Sequence, residues 1–214
     1  MAYVLGFISA DGDIQDVRKS SRTCYITLTN TDLQILQRIK TTMKSENKIY
    51  YSKSITQKFR NGYYLCRSKY IFRIRSKLMF QDLINLGLVP NKSLRLQIPE
   101  VPNQLFYSYL RGYFDGDGCI YVTRNLNPRL SLIFTSGCKK FLLSLNKKIH
   151  AYVGTKSQSV HFYSNAFRLV YHKIDSLKIL SYMYENRKHH FLHVEYKYKI
   201  YQNYLKMNSR LSYN

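Results

Sequence analysis

The chain repeats itself once, and that constrains it more than any other feature. Ala2-Tyr3-Val4-Leu5-Gly6-Phe7-Ile8-Ser9-Ala10-Asp11-Gly12-Asp13-Ile14 aligns with Ser108-Tyr109-Leu110-Arg111-Gly112-Tyr113-Phe114-Asp115-Gly116-Asp117-Gly118-Cys119-Ile120 at a constant offset of 106 residues. Tyr, Gly, the Asp-Gly pair and the closing Ile are identical in the two copies. The same offset carries Leu28-Thr29-Asn30 onto Phe134-Thr135-Ser136, and Ile35, Leu36 and Ile39 onto Phe141, Leu142 and Leu145. Further on the register shifts to 95, where Phe72-Arg73-Ile74 meets Phe167-Arg168-Leu169. A unit of about 100 residues, duplicated and fused head to tail, accounts for the pattern.

Each copy reads as αββαββα. An apolar helix over 2–10 leads into strands near 13–18 and 22–29. In the second strand Cys24, Ile26 and Leu28 alternate with Thr23, Tyr25, Thr27 and Thr29, the period of a half-buried strand. Asn30-Thr31-Asp32 offers an N-cap to a helix over 32–44. A hairpin spans 48–57 and 63–75, and a helix over 77–86 stops at Gly87. The second copy predicts a helix over 104–116, strands near 119–124 and 129–135, a helix over 137–150, strands near 151–163 and 166–172, and a helix over 174–185. A last Tyr/Lys-rich helix is expected over 189–208. Pro90, Pro99 and Pro102, three of the four prolines, mark a linker. The expected organisation is thus an N-terminal half over 1–87, a linker over 88–104 and a C-terminal half over 105–214. The fold class is α+β, two pseudo-twofold-related αββαββα units, each with a four-stranded antiparallel sheet. Helices cover one face of each sheet, and the polar faces together form a saddle.

Composition says what that saddle meets. Lys and Arg number 34 against 12 Asp and Glu, a formal charge of +22. The excess is shared by both halves and is not a tail. A hydrophobic content of 45% excludes a disordered polycation. No apolar run approaches the roughly 18 residues of a membrane span. Met1–Ala10 lacks the basic flank of a signal peptide. A folded, evenly basic chain fits a polyanion, and nucleic acid is the first candidate. The competing reading is a generally basic surface of the ribosomal or membrane-peripheral kind. On the polar strand faces, Thr23, Tyr25, Thr27, Lys69, Arg73, Arg75, Arg129, Ser131, His161, Arg168 and His172 are the expected DNA contacts. Cys24, Cys66, Cys119 and Cys138 form no CxxC pair, so they are expected to be reduced thiols of an intracellular protein. His189, His190 and His193 have no metal-site pattern and are expected at the surface or on backbone phosphate.

The repeated motif carries the chemistry. Gly6 and Ala10, like Gly112 and Gly116, are four apart, so each helix has a face on which another backbone can come close. The two helices should pack on each other along the pseudo-twofold axis and bring Asp11 and Asp117 together. Two converging carboxylates call for a cation between them. Hard divalent ions take carboxylate and carbonyl oxygen, so the expected metal set is Asp11 and Asp117 with the backbone at Gly12 and Gly118. The alternative is that Asp11 and Asp117 merely end helices, with Gly12 and Gly118 as C-cap glycines. Acids at a helix C-terminus are disfavoured by the macrodipole, which counts against that alternative.

Val4–Gly12 and Leu110–Gly118 resemble the two signature motifs of the LAGLIDADG homing endonucleases, in the single-chain, two-motif subclass. The resemblance covers essentially the whole chain, including a linker like Leu86-Gly87-Leu88-Val89-Pro90-Asn91-Lys92-Ser93-Leu94. It implies a site-specific double-strand DNA endonuclease that hydrolyses phosphodiester bonds across the minor groove with Mg²⁺ and leaves 3′ overhangs. Mn²⁺ would substitute, and Ca²⁺ would support binding without cleavage. The motif acids map to Asp11 and Asp117, and the basic active-site residues to Lys92 and to Lys197 in Glu195-Tyr196-Lys197-Tyr198. Lys92 has a plainer reading as a surface lysine of the linker. Ser9 stands where the motif more often has an acid, which Asp115 keeps. Asp13 either lends charge to the site or solvates the start of a strand. The expected partner is a long DNA site, at most imperfectly palindromic, bound by a monomer. Host intron RNA is a second candidate partner. The alternative function is an RNA maturase or a catalytically inactive DNA-binding protein on the same scaffold. Bacterial cytoplasm, mitochondrion and chloroplast are all compatible.

Overall fold

Two halves with the same strand order are visible in the computed structural model, which describes residues 1–59, 62–124, 128–185 and 192–211. The first half runs α1 (Ala2–Asp11), β1 (Gly12–Asp16), the single turn α2 (Arg18–Ser21), β2 (Cys24–Asn30), α3 (Leu33–Thr42), β3 (Ile49–Ser52), β4 (Ile55–Phe59), β5 (Gly62–Cys66), β6 (Lys69–Arg75) and α4 (Lys77–Asn85). The second runs α5 (Phe106–Asp117), β7 (Gly118–Val122), β8 (Leu130–Ser136), α6 (Lys139–Val153), β9 (Val160–Tyr163), β10 (Ala166–His172), α7 (Lys173–Tyr184) and α8 (Glu195–Leu211). Single 3₁₀ turns at Lys92–Leu94 and Asn103–Leu105 punctuate the linker.

The first sheet is ordered β1-β2-β6-β3 and the second β7-β8-β10-β9, both antiparallel. Ile14, Ile26 and Ile74 form one cross-strand row, and Leu28 with Phe72 the next. They are buried, as are Ile35, Leu36 and Ile39 of α3 and Phe80 and Leu83 of α4. Asp32 caps α3 by accepting from the Gln34 N–H at 2.8 Å, and Ser76 caps α4 by accepting from that of Met79 at 3.1 Å. The second half repeats this with Ile120, Leu132, Phe134, Leu169 and Tyr171 in the sheet, Phe141, Leu142 and Leu145 in α6, and Ile179 and Leu180 in α7. α1 is buried nearly all round, as an apolar helix without a polar stripe must be.

Four features differ most from expectation. α6 does not stop near 150 but continues to Val153, where Gly154 at φ 70° ends it, so the next strand starts only at Val160. The last helix begins at Glu195, not 189. The expected 48–57/63–75 hairpin is interrupted at 53–54 and 67–68, which divides it into the β3–β6 pair and the β4–β5 ribbon in one register. The equivalence of β6 and β10 is also shifted. Leu28 pairs with Phe72, and its counterpart Phe134 pairs with Leu169. Phe72 therefore matches Leu169, an offset of 97 where the sequence suggested 95. A slip of two residues keeps every side chain on its own face, so alternation cannot detect it.

Candidate functional site

α1 and α5 lie side by side between the halves. A Cβ on Gly6 would collide with the carbonyl oxygen of Tyr109, and one on Gly112 with that of Tyr3. At the far end a Cβ on Gly116 would collide with the Cβ of Ala10. All four expected interface residues are thus at the helix contact. The glycines serve because the backbones touch, which any side chain would prevent.

The helices end together, at Asp11 and Asp117. Gly12 and Gly118 are not left-handed cap glycines; both are extended, at φ −76° and −93°. A Cβ there would meet the Ile8 carbonyl oxygen at 2.6 Å and that of Phe114 at 2.5 Å. They allow the chain to leave the helix tightly and enter β1 and β7. Burial pushes the Asp11 carboxyl up to about 6, and the neighbouring Asp117 charge adds to it. Burial also raises Asp117.

Each helix end is closed by a buried lysine, Lys92 from the linker and Lys197 from α8. Lys92 is 7% exposed, and its Nζ donates to the carbonyls of Gly12 at 2.6 Å and Ala10 at 3.3 Å. Lys197 is 3% exposed, and its Nζ donates to Phe114 at 2.7 Å, Asp115 at 2.9 Å and Gly118 at 2.7 Å. Cations belong at helix C-termini, where carbonyls have lost their intrahelical donors. Lys92 is therefore not a surface linker lysine. The backbone oxygens of Gly12 and Gly118 each accept a hydrogen bond from a lysine ammonium, which takes up one lone pair of each expected metal ligand. Electrostatically the lysines cross over. Lys197 is the main cation holding Asp11 down, and Lys92 the main one on Asp117. Burial lowers both lysines, and the aspartates oppose that shift.

Two carboxylates of facing helices, raised in pKa where they meet, are an all-oxygen donor set that fits a hard divalent cation. Among the described residues no three His, Cys, Asp or Glu side chains converge. The chain contributes two carboxylates, and water and phosphate oxygens would complete a shell.

A second polar network was missed by sequence reasoning. Arg111, 2% exposed, donates to the carbonyls of Leu192 at 2.7 Å and Met183, so it ties the end of α7 to the start of α8. Asp115, 3% exposed, accepts from the Tyr3 hydroxyl at 2.7 Å and the Val194 N–H at 2.9 Å. Together they fix the segment that presents Lys197. The signal was in the repeat, where Leu5 and Ser9 of the first copy become Arg111 and Asp115, a charged pair one turn apart on a helix otherwise buried. Asp13, by contrast, is exposed and takes the Gln15 amide at 2.5 Å, so the solvated strand start is the better description.

The strand faces opposite the core carry the expected DNA contacts. Tyr25, Thr27, Arg73, Arg75 and Lys69 share one face of the first sheet. Ser131, His172, Arg168 and His161 share one face of the second, and Arg129 continues it through its pairing with Thr123. Thr23 and Thr27 are corrected: they are only 3% and 7% exposed, because Arg75 and Arg73 lie over them and donate to their hydroxyls at 3.1 and 3.3 Å. They aim the arginines and do not form surface themselves. Arg168 stacks on Tyr163 at 4.2 Å, and its buried Nε–H has no acceptor among the described residues. His193 is not at the surface either; its side chain is 13% exposed and its Nε2 lies 3.0 Å from Glu195. His189 and His190 lie outside the described residues. Cys24 and Cys138 are buried, Cys66 is half-buried and Cys119 exposed, all as free thiols. No described helix is long and apolar enough to cross a membrane.

No family model matches the sequence, and no curated protein matches it. Solved structures do match. The LAGLIDADG homing endonuclease I-GzeII, in complex with its DNA target, is similar over 99% of this chain and 91% of its own, with a TM-score of 0.64 and 15% identity. The meganuclease I-AabMI, bound to uncleaved DNA, is similar over 98% and 90%, at 0.62 and 16%. I-SmaMI, bound to uncleavable DNA, is similar over 95% and 88%, at 0.59 and 14%. Two sheets, two central helices and two aspartates at their ends thus stand on one known scaffold: the chain has the LAGLIDADG homing endonuclease fold.

Proposed function

We propose that this chain is a member of the LAGLIDADG family and a site-specific double-strand DNA endonuclease, acting as a monomer. The observation that carries this is the approach of Asp11 and Asp117 at the ends of the paired helices α1 and α5, with Lys92 and Lys197 closing those helix ends, in a chain with two four-stranded sheets. The saddle binds duplex DNA through the arginines, lysines and histidines of both polar faces. α1 and α5 then present one carboxylate toward each strand. Mg²⁺ or Mn²⁺, when bound, supplies an activated water and a stabilised leaving 3′ oxygen. The aspartates hold it, and the lysines offset the carboxylate charge where phosphate approaches. Cleavage of two strands across the minor groove leaves 3′ overhangs.

Because one chain holds both halves of the site, its target is long and at most imperfectly palindromic. The test is a randomised duplex library incubated with the protein and Mg²⁺, and in parallel with Ca²⁺. The expected result is a discrete set of cut duplexes with 3′ overhangs in Mg²⁺ and binding alone in Ca²⁺. Selective binding with no cutting in Mg²⁺ or Mn²⁺ would favour the maturase or inactive DNA-binding alternative.

A further inference from the structure

The two sheets correspond pair for pair up to one place. In the second half Tyr163 pairs with Ala166 across the two-residue turn Ser164-Asn165, whose φ values of 48° and 63° make it tight. In the first half the equivalent pair is Ser52 and Lys69, and sixteen residues lie between them. Most of these form the β4–β5 ribbon, paired from Ile55–Cys66 to Phe59–Gly62. At about 3.3 Å per residue, the seven residues from Lys53 to Phe59 reach on the order of 20 Å beyond the sheet.

The ribbon keeps the register of the strands it grows from. Ser52 opposite Lys69 and Ile55 opposite Cys66 belong to one unslipped ladder. By strand parity Thr56, Lys58, Tyr63 and Leu65 therefore continue the polar face of the first sheet. Lys53 through Lys58 are all exposed. Tyr63 and Leu65 are 71% and 68% exposed on one face, and Ile55 and Tyr64 57% and 52% on the other. A two-stranded ribbon alone is marginally stable in water, and large apolar side chains left uncovered on it favour a bound partner. The charge indicates which partner: residues 53–68 contain Lys53, Lys58, Arg60 and Arg67 and no acid.

We propose that the β4–β5 ribbon is an additional arm for duplex DNA, extending the half-site read by the first half beyond that read by the second. The inference rests on the DNA-binding reading above. A two-stranded ribbon fits a major groove about 12 Å wide. Its cations meet phosphates, and its tyrosines offer ring faces to the sugar backbone and hydroxyls to phosphate. At about 3.4 Å per base pair, the arm adds roughly six base pairs on one side only. The protein should therefore read unequal half-sites.

The experiment selects bound duplexes from a randomised library with the full chain in Ca²⁺, maps the contacted base pairs by hydroxyl-radical footprinting, and then shortens the duplex from either end. Protection should extend about six base pairs further on the ribbon side. Trimming those base pairs should weaken binding about tenfold or more, and Lys58→Ala with Tyr63→Ala should weaken the full duplex similarly but not the trimmed one. Both substitutions are on exposed side chains, and melting temperature checks that the fold is kept. Footprints of equal length, or an unchanged response to trimming, would overturn the arm while leaving DNA binding intact. No selected duplex at all would overturn the DNA-binding reading and the arm with it.

Discussion

Gly6 on α1 lies directly against the backbone carbonyl of Tyr109 on α5, with no space for a Cβ between them. The contact is reciprocal, because Gly112 meets Tyr3 in the same way, and these are the same residues of the repeat exchanged. Gly6→Ala or Gly112→Ala must push two backbones apart in the middle of the core. Overpacking of this kind costs about 3 kcal/mol. In a chain of this size that lowers the melting temperature by roughly 6–12 °C, which thermal denaturation will show.

The two aspartates should separate binding from cleavage. Asp11→Asn and Asp117→Asn each remove one charge and keep the shape. The strand faces are untouched, and one repulsive charge near phosphate is lost. Duplex binding should persist or tighten, while cleavage of both strands falls by about two orders of magnitude or more. Ca²⁺ on the parent should imitate them. A gel-shift and a cleavage assay on one selected duplex measure both effects.

Much of this was legible in the sequence, for identifiable reasons. The 106-residue offset holds where the residues are constrained by the α1–α5 contact and by the aspartates, so the axis of the site could be read directly. The strand alternation was legible because one face of each sheet is core. The pairing of β6 with β10 was not, since a two-residue slip preserves alternation. Lys92 and Lys197 occupy a 3₁₀ turn and an α-helix with no common motif. Only resemblance pointed to them, and only the folded chain shows them closing helix ends. Thr23 and Thr27 were misjudged because period-2 patterning assigns a face but cannot show that an arginine from the next strand lies over it.

Protonation should set the acid limb of activity. With Asp11 held up to about 6, its carboxylate forms as pH rises through that value, and metal-dependent cleavage should rise with it. The metal-free fold should respond in the opposite sense. Burial raises the folded-state pKa of Asp11 to about 6, above its unfolded value, so between about pH 4 and 6 this group binds more proton in the native state than in the unfolded one, and Asp115 and Asp117 are shifted in the same direction. Stability should fall as pH rises through this window. Asp11→Asn should flatten part of that slope in thermal melts taken without metal.

The basic faces predict the salt response. With on the order of ten phosphate contacts, log K should fall with log[salt] at a slope near −9. Arg73→Ala and Arg75→Ala should each reduce the slope by about 1. Thr27→Val should weaken binding only slightly, through the lost hydroxyl that orients Arg73 at 3.3 Å. Titrations of one duplex at several salt concentrations measure all three.

The lysines predict a crossed effect between the halves. Lys197 engages three carbonyls, as many as an ammonium has N–H donors, whereas Lys92 engages two. Lys197→Met should therefore cost more stability than Lys92→Met, by about one charged hydrogen bond, roughly 1.5–3 kcal/mol. The electrostatic consequence runs the other way across the axis. Lys197 caps α5 yet is the main cation on Asp11 of α1, and Lys92 caps near α1 yet is the main one on Asp117 of α5. Removing Lys197 takes away the charge that holds Asp11 down, so its pKa rises further and the acid limb of cleavage moves to higher pH. Lys92→Met should act in the same sense through Asp117. Combining Lys197→Met with Asp11→Asn should shrink the extra shift, because the carboxylate that Lys197 acts on more strongly is gone and only its weaker effect on Asp117 is left, while combining it with Asp117→Asn should leave most of the shift in place. Residual single-strand nicking, followed strand by strand across pH in the four variants and the parent, reads this directly. Equal shifts in both double variants would show that the lysine acts on the fold and not on the opposite carboxylate.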